Sequence, residues 1–357
     1  MDWVFFIVSD PVHIIIFIIF FLLVLVFLLL GYTFILRAQN NRKEQYITSL
    51  ENEWQPLVWR YLEGELKTDT FINAVEKKDY HIFGEFIERY LIDLRGTDYD
   101  KLIALLQEME FGGLKTKQLQ AKSEWERAYA SHFLGTIGYR VSIPDLEKLL
   151  DDPYQIVAFF AAQSILRLGG YDRFSTIINV LNQRQDFSTD KMKELLLIYG
   201  EADPKGLIEL LKQARLSSRI IIDTVSVLTQ LNVFNAGEQL LYLAEHTYDD
   251  EIKIACIKAL GELSILNATN FMIKNLQNDD WVIRSQAARN LGKIGDKKVI
   301  PELSSVLEDG NYWVKYHSAS AIAELGESGV SFLKEYCTTS SNEKSKNIVE
   351  QVLIEMT

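Results

Sequence analysis

The sequence has few of the residues that carry redox, metal or covalent chemistry. Its 357 residues include only two cysteines, Cys256 and Cys337, which lack the short spacing of a metal-binding pair. Cys256 falls at a packing position of a repeat described below, so we expect a buried thiol in a reducing compartment. The chain also has no Gly-rich phosphate loop and no Ser/His/Asp or Cys/His arrangement of useful spacing. We therefore predict no catalytic residue, no metal site and no cofactor.

The chain also lacks an excess of basic residues. Its formal net charge is −12, and the residues after position 43 include 47 acidic and 34 basic side chains. Binding to nucleic acid requires clustered Lys and Arg, because these side chains neutralise the phosphates. We therefore expect no nucleic-acid partner.

The N-terminal region is dominated by one apolar segment. Residues 12–36 contain no charged side chain, and as a helix they would extend about 37 Å, enough to cross a hydrocarbon core of ~30 Å. A cleaved signal peptide would have a basic leader and a small-residue cleavage site, whereas this leader carries Asp2 and Asp10. We therefore predict that residues 12–36 form a retained transmembrane helix in the lipid bilayer, rather than a cleaved signal or a buried core helix.

The charges beside this segment predict its orientation. Arg37, Arg42 and Lys43 come directly after it, and no basic residue precedes it. Because basic residues favour the cytoplasmic side, we expect a single-pass protein of the cell (inner) membrane. Residues 1–11 would then form a short extracytoplasmic N-terminus, and everything after Arg37 would lie in the cytoplasm.

Two helical regions are predicted between this segment and the main body. Apolar residues at three- and four-residue steps from Tyr46 to Leu62 predict a juxtamembrane amphipathic helix within residues 37–68. Residues 69–122 show further helical patterns separated at Gly96. We interpret them as degenerate capping helices, because a stack of repeats needs an atypical unit at its end.

Residues 123–357 repeat one pattern about every 31 residues. A fixed period in this range is typical of stacked repeats. The sequence therefore predicts an all-α fold: a single N-terminal transmembrane helix, then an α-solenoid of about seven 31-residue helix pairs with terminal capping helices. The last capping helix is a lone one around Leu353. The equivalent positions in the seven copies are Leu134, Ile165, Leu196, Leu228, Leu260, Leu291 and Ile322.

Two further positions recur in these copies. Gly or Asn stands four positions after the register residue in six of seven copies, as expected where a helix ends in the left-handed conformation. Basic residues recur seven positions before the register residue, and we expect them to bond to acids of the adjacent repeat. The seven stop positions are Gly138, Gly169, Gly200, Asn232, Ser264, Gly295 and Gly326, and the basic residues are Arg127, Lys253, Arg284 and Lys315.

The copies that begin near Glu124, Pro153, Glu251, Asp280 and Asn311 share the pattern V-[RK]-x-x-[AS]-A-x-x-[LI]-[GA]-x-[LI]-G. This pattern resembles the short bacterial HEAT-like repeat first known from phycobilisome lyases. The resemblance implies an α-solenoid of antiparallel helix pairs that presents an extended binding surface. One membrane span followed by such repeats is also similar to accessory proteins associated with family 2 glycosyltransferases, which make exported polysaccharide.

Enzymes with HEAT-like repeats set requirements that this sequence does not meet. The resemblance to a di-iron hydroxylase of this class would imply His-Glu pairs, but none of the five histidines is followed by Glu. A HEAT-type DNA glycosylase would need a basic groove, which the acidic balance opposes. The E/F-type phycobilin lyases are soluble, and the predicted membrane helix argues against that role.

Two groups of residues remain as candidate sites. His246, Asp249, Asp250 and Glu251 could bind a metal, but we favour a solvated loop with capping aspartates, because Asp pairs mark other repeat junctions too. Aromatic residues recur near the starts of the first helices of the repeats and could form an exposed edge for a partner; we favour packing between neighbouring repeats. These residues are Trp125, Tyr154, Trp281, Tyr312 and Trp313.

The sequence thus favours a non-enzymatic membrane-anchored scaffold or regulatory subunit. We expect its solenoid to bind an integral membrane protein, with a family 2 glycosyltransferase of exopolysaccharide biosynthesis as the most concrete candidate. The candidate partner-binding residues are Trp125, Trp281, Tyr312 and Trp313. The alternative is a membrane-anchored, lyase-like HEAT enzyme that acts on a tetrapyrrole or on a protein substrate.

Overall fold

The computed structural model describes residues 11–184, 186–213 and 216–356, and every regular element in these ranges is a helix. The expected extracytoplasmic segment, residues 1–11, lies outside the described residues except for Pro11. The chain forms two compact units, Met1–Leu114 and Lys115–Thr357. The predicted all-α fold is confirmed.

The first unit is built on one long helix. Its elements are α1 (Pro11–Leu62), α2 (Thr68–Ala74), α3 (Tyr80–Asp93) and α4 (Thr97–Glu108), and α5 (Phe111–Gln118) crosses the boundary between the units.

The long helix α1 runs without a break from Pro11 to Leu62, so it joins residues 12–36 to most of residues 37–68, two regions that the sequence assigned separately. No helix-breaking residue stands between Leu36 and Gln55, so the amphipathic region simply continues the apolar one. Every side chain over residues 15–36 is exposed, and α1 is long and apolar enough to cross a membrane by length and composition.

The far end of α1 carries the core of the first unit. Trp54, Val58 and Leu62 are buried there, and the Trp54 ring contacts the Phe83 ring edge-on, with centroids 5.2 Å apart. Phe83 in turn contacts Phe71 of α2, with centroids 5.7 Å apart. The face that the sequence predicted as amphipathic therefore packs against α2 and α3.

After the end of α5, the described part of the second unit consists of seven helix pairs and a closing helix. Each pair has a first helix, called A, and a second, called B. The A helices are α6 (Glu124–Thr136), α8 (Gln155–Arg167), α10 (Thr189–Ala202), α12 (Ser218–Gln230), α14 (Asp250–Glu262), α16 (Trp281–Ile294) and α18 (Tyr312–Glu324). The B helices are α7 (Ile143–Lys148), α9 (Phe174–Asn182), α11 (Pro204–Leu210), α13 (Gly237–His246), α15 (Thr269–Asn275), α17 (Ile300–Ser305) and α19 (Glu327–Thr339). The closing helix is α20 (Glu343–Glu355).

Small residues let neighbouring A helices approach closely. A Cβ atom on Gly292 would lie 2.7 Å from the Cα atom of Ala321, a backbone atom of the next A helix. The buried Ser164 hydroxyl donates a 2.7 Å hydrogen bond to the Ser131 carbonyl of the preceding A helix. Since the register residues of all seven copies are also fully buried, one continuous core runs through the stack.

Six of the seven predicted stop positions have a positive φ, between 51° and 86°, but the exception is not the expected one. Ser264, which is neither Gly nor Asn, is left-handed with φ 51°. Gly200 instead lies inside α10, because that helix continues to Ala202 and α11 begins with Pro204 directly after it. At Gly200 a Cβ atom would come within 2.5 Å of the Leu207 side chain, so close packing explains this glycine.

Candidate partner interface

The aromatic residues near the A-helix starts are exposed. Trp125, Tyr154, Trp281, Tyr312 and Trp313 each keep between 42% and 68% of their surface accessible. Packing against neighbouring elements is partial: the Arg127 guanidinium of the preceding repeat lies 5.8 Å from the Tyr154 ring centroid, and the Tyr312 hydroxyl donates a 3.2 Å hydrogen bond to Gln351. Capping fixes where three of these helices begin: Asp280 accepts a 2.8 Å hydrogen bond from the Val282 N–H, and Asn311 and Ser123 cap α18 and α6 in the same way.

The structure brings only some of these residues together. Tyr312 and Trp313 contact each other with ring centroids 5.3 Å apart, and the Trp313 ring also stacks over His317 at 5.9 Å. Trp281 opens the preceding A helix, one repeat away. Trp125 lies five repeats earlier, about 40–50 Å along the stack at the usual spacing of 8–10 Å between packed helices.

One exposed aromatic residue beside an A-helix start was missed in the sequence. Tyr248 is fully exposed and stands one residue before Asp249, the residue that caps α14. It was missed because it precedes its cap, whereas Trp281 and Trp313 come after theirs. The junctions of three successive repeats thus carry exposed aromatic side chains, and we call Tyr248, Trp281, Tyr312 and Trp313 the C-terminal aromatic edge.

The recurring basic residues form the expected ion pairs in two repeats. The Arg127 guanidinium donates two hydrogen bonds to the Asp152 carboxylate (2.7 and 3.0 Å) and two to the carbonyls of the junction before its own helix. Arg284 repeats this geometry on Asp309, with 2.8 and 3.1 Å hydrogen bonds. In both repeats the acid lies 25 residues after the arginine, so the bidentate pair links one repeat junction to the next.

Electrostatics at these pairs is consistent with a stabilising role. Burial alone would raise the pKa of Asp309, but hydrogen bonds from Arg284 and from the Asn311 N–H outweigh it, so the pKa is lowered. In the other pair, the hydrogen bond that Arg127 donates to Asp152 raises the pKa of Arg127. Both shifts favour the charged form of the side chain.

The other two basic residues depart from this pattern. Lys315 is nearly buried, and its charge helps to lower the pKa of Asp309 in its own junction. Lys253 has Asn278 at the position 25 residues later, where a carboxylate was expected. Its side chain has no ion-pair or hydrogen-bond partner within the described residues, so the expected bond to an adjacent acid is wrong there.

The acidic group beside His246 serves as a helix cap. The Asp249 carboxylate accepts hydrogen bonds from the Glu251 and Ile252 N–H groups, and a hydrogen bond from Ser218 contributes most to lowering its pKa. His246 Nδ1 lies 2.8 Å from the Tyr242 carbonyl, and its ring stacks on the Tyr242 ring. In the described part of the chain, no three His, Cys, Asp or Glu residues are grouped so that they could hold a metal ion.

Cys256 is buried in the core, as the sequence predicted, and burial raises the pKa of its thiol to about 12. The thiolate, which is the reactive form, is therefore scarce at neutral pH.

Comparisons with known proteins agree with this architecture. The family model described as HEAT repeats matches residues 237–309 and 269–354. Over 53 residues the chain is 40% identical to phycocyanobilin lyase subunit alpha of Picosynechococcus sp. (strain ATCC 27264 / PCC 7002 / PR-6). That match covers 15% of this chain and only a fifth of the relative's length.

Two solved structures of a karyopherin show the same fold. A mutant of Kap121p matches with a TM-score of 0.53 and 12% identity, over 86% of this chain and 42% of that one. Kap121p bound to the extreme C-terminus of the protein phosphatase Cdc14p matches with a TM-score of 0.52 and 13% identity, over 84% and 39%. At such low identity the likeness concerns the fold alone. The second unit is thus an α-solenoid, in which residues 237–354 match HEAT repeats.

Proposed function

We propose that this chain is a membrane-anchored scaffold or regulatory subunit whose solenoid binds another membrane protein. The observation that carries the proposal is the C-terminal aromatic edge, which places four exposed aromatic side chains on the junctions of three successive repeats. Exposed Trp and Tyr side chains supply much of the affinity of protein interfaces, because they combine a large apolar area with a polar group.

The apolar part of α1 supports membrane anchoring, because it is long enough to cross a hydrocarbon core and its side chains are exposed. Arg37, Arg42 and Lys43 favour a cytoplasmic location for the remainder of the chain. The finer proposal for the partner, an exopolysaccharide-synthesising glycosyltransferase of family 2, rests on the resemblance of the layout to accessory proteins of such enzymes.

A pull-down from solubilised membranes in mild detergent, with identification by mass spectrometry, tests this function. The tagged full chain should recover at least one integral membrane protein, and the double variant Trp281→Ala/Trp313→Ala should lose most of it, since interface hot spots cost about 2 kcal/mol or more each. Phe234→Ala is the matched control and should recover the partner as wild type does, because this aromatic residue is 63% exposed but lies between α12 and α13, outside the C-terminal aromatic edge. If wild type recovers no membrane protein above background, the proposal is wrong.

A second candidate function is a lyase-like enzyme, which the 40% identity to a phycocyanobilin lyase subunit over 53 residues favours. Such an enzyme would hold a tetrapyrrole or a protein substrate on the solenoid. Visible absorbance of the chain purified after incubation with a bilin distinguishes the two. A stoichiometric bound chromophore would favour the enzyme over the scaffold.

A further inference from the structure

A polar cleft lies next to the C-terminal aromatic edge. It has a volume of about 660 Å³ and is lined by the end of α13, the start of α14, helix α15 and the junction before α16. Tyr248 stands five residues before Lys253, a lining residue, and Trp281 stands two residues after Asp279, another. The charged or titratable lining residues are Glu245, His246, Lys253, Lys274 and Asp279.

The repeated ion pairs show what is missing from this cleft. In repeats 1 and 6 the cation binds a carboxylate 25 residues later, Asp152 or Asp309. In repeat 5 the cation is retained as Lys253, half-buried and without a side-chain partner in the described ranges, while Asn278 replaces the carboxylate.

Asn278 keeps the other role of those aspartates. Its Oδ1 atom accepts a 2.9 Å hydrogen bond from the Asp280 N–H, as Asp309 accepts one from the Asn311 N–H (2.8 Å) and Asp152 one from the Tyr154 N–H (3.0 Å). The turn at the junction is therefore preserved without the negative charge, and the Asn278 Nδ2 group instead donates a 3.4 Å hydrogen bond to Asn275 Oδ1.

We propose that this cleft binds a carboxylate from an acidic segment of the partner protein, which pairs with Lys253 in place of the absent aspartate. The inference rests on the proposed function and names the chemistry of its partner. Lys274 adds a second positive charge, whereas the exposed carboxylates of Glu245 and Asp279 repel any anion at the rim. The site therefore selects a carboxylate that reaches Lys253, flanked by apolar groups that contact Tyr248 and Trp281.

Fluorescence anisotropy with the purified full chain in detergent tests this inference. The probe is a fluorescein-labelled peptide of alternating glutamate and alanine, compared with the same peptide carrying glutamine. Wild type should bind the glutamate peptide saturably. Both Lys253→Gln and Asn278→Asp should weaken binding by about tenfold or more, the first by removing the cation and the second by supplying an internal carboxylate. Lys298→Gln, an exposed lysine outside the cleft, should bind as wild type.

Thermal unfolding of the same variants separates binding from folding. Asn278→Asp should unfold within a few degrees of wild type, because the ion pair with Lys253 offsets the loss of the long hydrogen bond to Asn275, so a loss of binding cannot come from misfolding. The inference is overturned if wild type shows no saturable binding, if the glutamine peptide binds equally, or if both cleft variants bind as wild type. Displacement of the peptide by inorganic phosphate at similar concentrations would assign the site to phosphate and would also overturn it.

The pull-down distinguishes the proposed scaffold function from the proposed carboxylate site in the cleft. If Asn278→Asp still recovers the membrane partner while Trp281→Ala/Trp313→Ala does not, the proposed function stands and the acidic segment is wrong. If wild type binds the peptide but recovers no membrane protein, the cleft stands and the proposed function is wrong.

Discussion

At the scale of single residues, the Arg284–Asp309 pair shows how one side chain can join two repeat junctions. The guanidinium is mostly buried and donates four hydrogen bonds, to one carboxylate and two backbone carbonyls. Such a pair contributes because both partners are fully hydrogen-bonded; removal of one partner leaves the other buried and unsatisfied.

We therefore expect Asp309→Asn to lower the free energy of unfolding by about 2 kcal/mol at neutral pH, since hydrogen bonds to charged groups contribute in this range. The pKa of Asp309 in the folded state is lower than its ordinary 3.8, so its contribution is present above pH 3.8 and is lost as the pH falls through the folded value. Urea unfolding of both proteins should show a difference that is full at pH 7 and shrinks below pH 3.8. The exposed Glu335→Gln should unfold as wild type at neutral pH.

Single residues also show where the sequence was informative and where it was not. The leucine register located every A helix, because burial at a fixed spacing depends on local periodicity. Gly200 and Ser264 exchanged their expected roles, since the length of α10 and the position of Pro204 decide where that helix ends. The sequence did not predict that Lys253 is unpaired. The position where its acid is missing is recognised only from the ion pairs that Arg127 and Arg284 form in three dimensions.

At the scale of elements, the closing helix α20 covers the last A helix. Ile348, Val349 and Val352 are buried, and the Tyr316 hydroxyl of α18 donates a 2.7 Å hydrogen bond to Glu355 of α20. A terminal unit with one apolar and one polar face lets a repeat array end in water without exposing its core. The sequence predicted this helix from its apolar spacing, but the hydroxyl contact required the structure.

Two substitutions on α20 test this capping role. Val349→Ala should lower the free energy of unfolding of the C-terminal repeats by about 2 kcal/mol, because it leaves a cavity in the core. Ile354→Ala, on the same helix but 74% exposed, should change it by less than about 0.5 kcal/mol. Urea titration followed by tryptophan fluorescence measures both. Equal effects of the two substitutions would show that α20 does not close the core.

At the scale of the whole molecule, the proposed membrane orientation has a direct test. In intact spheroplasts, a C-terminal epitope should resist external protease and become sensitive after lysis, because the basic residues after position 36 favour the cytoplasm. A chain with Arg37, Arg42 and Lys43 replaced by Gln should lose this uniform protection. Digestion of the wild-type epitope in intact cells would contradict the orientation.

The continuity of α1 fixes the rotation of its Trp54 face relative to its apolar N-terminal part. The helix has 52 residues, or about 78 Å, and carries its buried Trp54 face and its apolar N-terminal part on one continuous backbone. One residue inserted near Glu44 would turn the Trp54 face by about 100° relative to the N-terminal part, whereas seven residues would return it to within about 20°. The direction of the Trp54 face about the axis of α1 is thus set by the number of residues between that face and the apolar N-terminal part.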